Sequence, residues 1–133
     1  MQKVVAAVIQ RDGRILVAQR DTGHLAGKWE FPGGKVEGSE SLEDALVREI
    51  QEEFGTLISV ERRIGEVPFQ VAEKEFILFG FYARHVSGNY AIREHKRIRW
   101  VRPSRLLDLD FSPADVPIAR MVIRGLSGAS QLP

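Results

Sequence analysis

The stretch FPGGKVEGSESLEDALVREIQEEFG, residues 31–55, determines how this chain is interpreted. Its second half carries apolar residues at the spacing of one helical face, namely Leu42, Leu46, Ile50 and Phe54. Ser41 precedes this run and can accept a hydrogen bond from the first turn, and Gly55 follows it as a favourable helix C-terminus. The pattern therefore predicts a glycine-rich loop followed by a helix over residues 41–54.

Three glutamates of this helix lie where an ordinary amphipathic helix would not place them. On a helical wheel, Glu49, Glu52 and Glu53 occupy an arc of about 100° along the edge of the apolar face. Like charges at this spacing repel one another, which costs stability unless a cation is present. Carboxylates without Cys or His form a hard-oxygen site that suits Mg²⁺ or Mn²⁺, and Mg²⁺ commonly takes further ligands from water and substrate phosphate.

A solvated acidic patch is the alternative explanation, and it accounts for most glutamate-rich helices. The preceding loop favours the metal site. Gly33 and Gly34 stand before the helix, and the absence of a Cβ lets their backbone approach a phosphate closely. A Gly-Gly pair alone predicts only a turn, but the two features together predict a site for a phosphorylated substrate.

The remaining segments predict a mixed domain. Two β-branched runs, 4–9 and 15–18, flank an Asp-Gly turn and predict a hairpin. Further strands are expected at 58–67, 75–86 and 98–101. A second helix is expected from 113 to about 126, with residues 127–133 as a tail. Strands and helices in this order predict an α/β sandwich around one mixed sheet.

The composition excludes several classes of protein. The 133 residues suit a single domain over 1–133, and the absence of Cys excludes disulfides, thiolate nucleophiles and Cys-based zinc sites. A formal net charge of +1 gives no basic excess for binding long nucleic acid. The longest apolar run, Val4 to Ile9, is too short to span a membrane, and no signal-peptide pattern precedes it. We expect a cytoplasmic monomer or homodimer without a membrane partner.

The motif from Gly34 to Gly55 has a recognisable spacing. Five residues separate Gly34 from Glu40, and seven separate Glu40 from the run REIQEEFG at 48–55. This spacing resembles the Nudix box of the Nudix hydrolases, with one departure at Thr56, where the box has an aliphatic residue. The flanking segments 28–37, 93–95 with Trp100, and 111–117 resemble the MutT-like branch, so the resemblance covers about residues 3 to 125.

The resemblance implies a Nudix α/β/α sandwich with a mixed β-sheet, and it implies roles for particular residues. Mg²⁺ or Mn²⁺ would be held by the Gly33 carbonyl and by Glu49, Glu52, Glu53 and Glu94. Glu49, Glu53 and Glu94 are all open candidates for the general base. Arg48 would orient a helix carboxylate through a charged hydrogen bond. The substrate-binding residues would be Arg20, His24, Phe31, Gly34 and Asp115.

The implied activity is hydrolysis of a nucleoside or deoxynucleoside triphosphate to the monophosphate and pyrophosphate. Asp115 stands where the MutT type has an Asn that contacts the nucleobase edge. Asn offers a donor and an acceptor, whereas ionised Asp only accepts. The segment around Phe31 to Gly34 slightly favours 8-oxo-dGTP-type substrates and a role in sanitising the nucleotide pool. Asp115 favours the alternative, which is CTP, dCTP or a modified-cytosine triphosphate.

Other readings of the same motif stay open. A Nudix module that senses a nucleotide without hydrolysing it is an alternative of another class, although such modules usually lack box carboxylates that are all present here. Hydrolysis of a nucleotide sugar or ADP-ribose is a further alternative. The three histidines lack the spacing of metal ligands. Four aromatic residues are expected in the core, namely Phe69, Phe76, Phe79 and Phe81.

Overall fold

The computed structural model describes residues 1–130, which form a seven-stranded mixed sheet between two helices. The strands are β1 (Gln2–Arg11), β2 (Arg14–Arg20), β3 (Trp29–Glu30), β4 (Gly33–Lys35), β5 (Leu57–Val71), β6 (Lys74–Ser87) and β7 (His95–Val101). The helices are α1 (Leu42–Phe54) and α2 (Val116–Ser130). Two short 3-10 helices cover Pro103–Asp108 and Pro113–Asp115.

Strand β1 organises the sheet. It pairs in parallel with β6 and antiparallel with both β2 and β4, so the sheet is mixed as expected. The β4 pairing sets Val5 opposite Gly34 and Ala6 opposite Gly33. This register places the two glycines of the predicted phosphate loop beside the central strand.

The sheet is covered on both faces. On one face, alternate residues of β1 pack with Leu46, Ile50 and Phe54 of α1. On the other face, Ala6 and Val8 pack in a second cluster that includes residues of α2. A strand that is buried on both faces needs apolar residues at every position, which explains the sequence VVAAVI at 4–9. The α/β/α sandwich expected from the sequence is confirmed.

Helix α1 begins and ends where its sequence predicts. The Ser41 hydroxyl accepts a hydrogen bond from the Asp44 N–H at 3.0 Å. Gly55 adopts a left-handed conformation with φ of 70°, and its N–H donates to the Gln51 carbonyl at 2.8 Å. These two caps fix the register of the helix, and therefore the direction in which its glutamates point.

The structure differs from the sequence expectation in two places. Strands β3 and β4 lie within the stretch expected to be a loop, because pairing with β2 and β1 orders segments too short to show a periodicity. A 3-10 turn precedes α2, and α2 continues past 126 to Ser130, so the expected tail is wrong for 127–130. Residues 131–133 of that tail lie outside the described residues. Within residues 1–130, no helix has the length and apolar character needed to cross a membrane.

Candidate active site

Arg48 connects the carboxylates of α1 to the loop before it. Its Nε and Nη2 bind the two oxygens of Glu40 at 2.7 and 3.0 Å, a two-point contact that lowers the pKa of Glu40. Its Nη1 donates to Glu49 at 3.0 Å and to Glu52 at 3.2 Å. Its Nη2 also donates to the Lys35 carbonyl at 3.0 Å. Arg48 therefore contacts both Glu49 and Glu52, the helix carboxylates that the resemblance expects it to orient.

The two glycines before the helix leave no space for side chains. A Cβ on Gly34 would overlap the Glu49 carboxylate, and a Cβ on Gly33 would overlap the Val5 carbonyl oxygen of β1. The loop backbone therefore lies directly against a glutamate of α1. A larger residue at Gly34 would displace that carboxylate, which explains why the motif needs glycine there.

Glu53 is a buried carboxylate at the centre of the site. It is 5% exposed, and its Oε2 has no hydrogen-bond partner among the described residues. Burial and the negative charges of Glu30, Glu49 and Glu94 raise the pKa of Glu53 to about 9. A buried carboxylate surrounded by like charges is costly unless a proton or a cation neutralises it.

A cavity of about 260 Å³ opens beside Glu53. It is lined by Arg20, Asp21, Thr22, Glu30, Gly33, Glu53, Glu94 and His95. Three of the expected metal ligands, Gly33, Glu53 and Glu94, thus share one cavity. Glu49 lies against Gly34 and is not among the residues that line this cavity, and Glu52 is more exposed and bound to Arg48.

The oxygen ligands in this region suit a hard divalent cation, although the carboxylate groups do not converge on a single position in this structure. In the described part of the chain, no three acidic or histidine side chains converge closely enough to form a ready-made metal site. The available donors are oxygen atoms, and the unpartnered Oε2 of Glu53 supplies one of them. The carboxylates of Glu49 and Glu52 would have to exchange part of their contact with Arg48 for the cation.

Glu30 and His95 are site residues that the sequence analysis missed. The two oxygens of Glu30 bind Arg20 Nη1 at 3.0 Å and His95 Nε2 at 2.8 Å. Although burial opposes it, these hydrogen bonds lower the pKa of Glu30. The sequence offered one indication of Glu30, which is a charged residue between two aromatic residues. Both of these, Trp29 and Phe31, are buried in the structure. The contact with His95 links β3 to β7, and no local pattern could have indicated it.

A second cavity of about 610 Å³ adjoins the first, because both are lined by Arg20, Glu30 and Gly33. All the expected substrate-binding residues line it, namely Arg20, His24, Phe31, Gly34 and Asp115. Phe69 and Phe76 line it as well, with ring centroids 5.0 Å apart. Phe69 is partly buried and also packs against the core, whereas the expected core position of Phe76 is wrong. Phe79 and Phe81 are buried in the core as expected.

Asp115 lies in the wall of this larger cavity. It is 8% exposed, and its Oδ1 accepts a hydrogen bond from the Phe31 N–H at 3.3 Å. Burial and the negative charge of Glu30 raise the pKa of Asp115 to about 8, against the opposing effect of that hydrogen bond. At neutral pH the side chain is therefore mostly protonated, and it offers both a donor and an acceptor, as an Asn would.

The family is settled by comparison with known proteins. The model of the NUDIX domain matches residues 1–122. The chain belongs to the NUDIX family. This membership confirms the resemblance carried by the Gly34–Gly55 motif, and members of this hydrolase family generally use divalent metal ions.

Individual relatives of this Nudix hydrolase cover most of its length. The CTP pyrophosphohydrolase of Escherichia coli (strain K12) is 40% identical over 119 residues, which cover 89% of this chain and 88% of that protein. The 8-oxo-dGTP diphosphatase of the same organism is 29% identical over 119 residues, covering 89% and 92%. The solution structure of the E. coli ORF135 protein matches with a TM-score of 0.88 and 36% identity, covering 100% and 95%.

The raised pKa of Glu53 predicts that this residue destabilises the metal-free protein as the pH rises. The folded state keeps a proton up to about pH 9, whereas the unfolded chain releases it near the ordinary value of 4.5, so stability falls between these limits. Without added metal, Glu53→Gln should therefore raise the free energy of unfolding by a few kcal/mol at pH 8 and by little at pH 4. Urea denaturation in EDTA across this range measures the difference.

Glu43→Gln is the matched control, because Glu43 is an exposed carboxylate in the first turn of the same helix. It should leave stability within about 0.5 kcal/mol of the wild type at every pH. A Glu53→Gln protein that is no more stable than the wild type at pH 8 would contradict the raised pKa of Glu53 in the folded state.

Proposed function

We propose that this Nudix hydrolase cleaves nucleoside triphosphates to the monophosphate and pyrophosphate, with Mg²⁺ or Mn²⁺ as its metal. The observation that carries the proposal is the pair of adjoining cavities that share Arg20, Glu30 and Gly33. One is acidic and suits cation-bridged phosphates, and the other is lined by aromatic rings and Asp115 and suits a nucleobase. The names of the relatives, a pyrophosphohydrolase and a diphosphatase acting on triphosphates, support the same activity.

The proposed metal ligands are the Gly33 carbonyl and the side chains of Glu49, Glu52, Glu53 and Glu94. A divalent cation bound there supplies charge neutralisation for the phosphates and lowers the pKa of an attacking water. The unpartnered Glu53 oxygen and the three neighbouring carboxyl groups of Glu30, Glu49 and Glu94 support this assignment.

Arg20 and Arg48 have different proposed tasks. Arg20 lines both cavities, and its buried Nε has no partner among the described residues, so it has a donor left for a substrate phosphate. Arg48 is fully engaged by glutamates and the Lys35 carbonyl, which suits a residue that orients ligands. Substrate contact is therefore proposed for Arg20, and positioning for Arg48.

A carboxylate is needed to accept the proton of the attacking water. Glu49 is held by Arg48 and Glu53 is buried, whereas Glu94 is exposed at the rim of the acidic cavity. We favour Glu94 for this role, because its side chain can turn toward the phosphates without breaking a contact with Arg48.

The nucleobase is proposed to pair with the neutral form of Asp115. Its O–H and C=O groups match the N3 acceptor and N4–H donor of cytosine, and equally the O6 acceptor and N7–H donor of oxidised guanine. A single protonated carboxyl group therefore supports both substrates that the relatives' names suggest. CTP-type and 8-oxo-dGTP-type triphosphates are accordingly the proposed substrates, and removal of damaged nucleotides from the pool is the proposed role.

A product assay tests the activity. In Mg²⁺, the wild-type protein should release pyrophosphate and the monophosphate from CTP and from 8-oxo-dGTP. Glu53→Gln should lower kcat by several orders of magnitude while circular dichroism shows an intact fold, and Glu43→Gln should be unaffected. Faster hydrolysis of ADP-ribose would contradict the substrate class, and nucleotide binding without turnover would favour the sensor alternative.

The protonation of Asp115 gives a second prediction. The ratio of kcat/KM between the wild type and Asp115→Asn should be constant below pH 7 and should fall up to roughly tenfold per pH unit above pH 8, because only the wild type loses its donor. Titrations elsewhere in the site cancel in this ratio. A ratio that does not change from pH 6 to pH 9 would show that Asp115 does not contact the base as a neutral acid.

A further inference from the structure

The β6–β7 connection, residues 88–94, lies against the C-terminal end of α1 and has Glu94 as its last residue. Arg93 donates from Nη1 to two main-chain carbonyls of the helix, that of Glu52 at 3.0 Å and that of Gln51 at 3.3 Å. The last carbonyls of a helix lack partners within it, and this end carries a partial negative charge. The last turn of α1 contains no basic residue of its own, so Arg93 supplies the cation that this end favours.

Two further contacts hold the β6–β7 connection to the same end of the helix. The Ala91 N–H donates to the Phe54 carbonyl at 3.0 Å, which satisfies another terminal carbonyl. The hydroxyl of Thr56, a fully buried residue, donates to the Asn89 carbonyl at 2.8 Å. Thr56 is the position at which this chain departs from the aliphatic residue of the Nudix box, and an aliphatic side chain could not make this bond.

The main chain is anchored on both sides of Glu94. Arg93 precedes it and is bound to α1, and His95 follows it as the first residue of β7. His95 pairs with Arg20 of β2, and its Nε2 lies 2.8 Å from an oxygen of Glu30. The exposed side chain of Glu94 is thereby placed at the rim of the acidic cavity.

We infer that Arg93 and Thr56 are positioning residues, which bind the β6–β7 connection to the end of α1 and thereby set the place of Glu94 relative to the glutamates of that helix. The inference rests on the proposed function, since it concerns Glu94 as a carboxylate of the reaction. Neither Arg93 nor Thr56 lines either active-site cavity, so both act through Glu94 rather than on the substrate.

The competing explanation is that these contacts only stabilise the fold. A double-mutant cycle distinguishes the two explanations, because a positioning contact affects turnover only while the Glu94 carboxylate is present. Arg93→Met removes the charge and the hydrogen bonds but keeps the length of the side chain. Glu94→Gln supplies the background in which no carboxylate is left to position.

The experiment measures kcat and KM in Mg²⁺ for CTP or 8-oxo-dGTP, whichever the wild type cleaves faster, and the free energy of unfolding in urea. Arg93→Met should lower kcat roughly tenfold with KM little changed, because displacing a reacting group slows the reaction more than it weakens binding. In the Glu94→Gln background, the same substitution should change kcat by less than about twofold. Its effect on the free energy of unfolding should be the same in both backgrounds.

Arg93→Lys and Arg97→Met are the controls. A lysine ammonium can still donate to the helix carbonyls, so Arg93→Lys should keep kcat within about threefold of the wild type. Arg97 is exposed on β7 and lines neither active-site cavity, so Arg97→Met should behave as the wild type in every measurement.

Amide hydrogen exchange of the metal-free protein gives a readout that needs neither metal nor turnover. In Arg93→Met and in Thr56→Val, the Ala91 N–H should exchange roughly fivefold faster than in the wild type, because the β6–β7 connection loses a hydrogen bond that holds it. Thr56→Val keeps the shape of the side chain and supplies the aliphatic residue of the box. It should lower kcat in the same direction as Arg93→Met.

Several results would overturn the inference. A wild-type kcat in Arg93→Met, or an unchanged exchange rate at Ala91, would do so. An equal loss of kcat in both backgrounds would also do so, since Arg93 would then act through a group other than Glu94. Wild-type values in Thr56→Val would overturn the part assigned to Thr56.

The outcomes separate this inference from the proposed function. If the wild type cleaves triphosphates and Glu94→Gln keeps the wild-type kcat, Glu94 needs no positioning, and the inference fails while the proposed function stands. If the wild type cleaves no triphosphate, the proposed function fails, and faster exchange at Ala91 in Arg93→Met would still support the anchoring of the β6–β7 connection by Arg93.

Discussion

The repulsion among carboxyl groups around Glu53 is the constraint on which the site depends. Glu30, Glu49 and Glu94 all raise the pKa of this buried residue, and no contact in the described chain satisfies its free oxygen. Folding has to hold these groups together against that repulsion. The capped helix α1 places Glu49 and Glu53, Arg48 binds Glu49, and Arg20 and His95 bind Glu30. The near-neutral composition conceals this local excess of negative charge.

Burial raises the pKa of Asp115 as it raises that of Glu53, and this determines the hydrogen bonds that Asp115 can form. An exposed aspartate would be ionised and could only accept hydrogen bonds. Enclosed beside Phe31 and near the charge of Glu30, Asp115 has a raised pKa, so in its neutral form it can donate as well as accept a hydrogen bond. Glu30 thus influences both cavities, through Asp115 on one side and through His95 on the other.

The sequence predicts those parts of the site that local rules determine. Helix α1 has its caps, its apolar face and its glutamates within a single stretch, so its bounds and its family motif could be recognised. The strands β3 and β4 could not, because two and three residues carry no periodicity and depend on pairing with distant strands. The Glu30–His95 contact joins residues 65 positions apart, and the pKa of Asp115 depends on enclosure by several segments. Such features follow from tertiary packing alone.

The central claim is that a divalent cation replaces the proton on Glu53. Calorimetric titration of the metal-free protein with Mn²⁺ at pH 7.5, repeated in two buffers of different ionisation enthalpy, counts the protons released on binding. With a Glu53 pKa of about 9, about one proton should leave per cation bound, and that release should vanish in Glu53→Gln. Tight Mn²⁺ binding by the wild type without proton release would contradict the account.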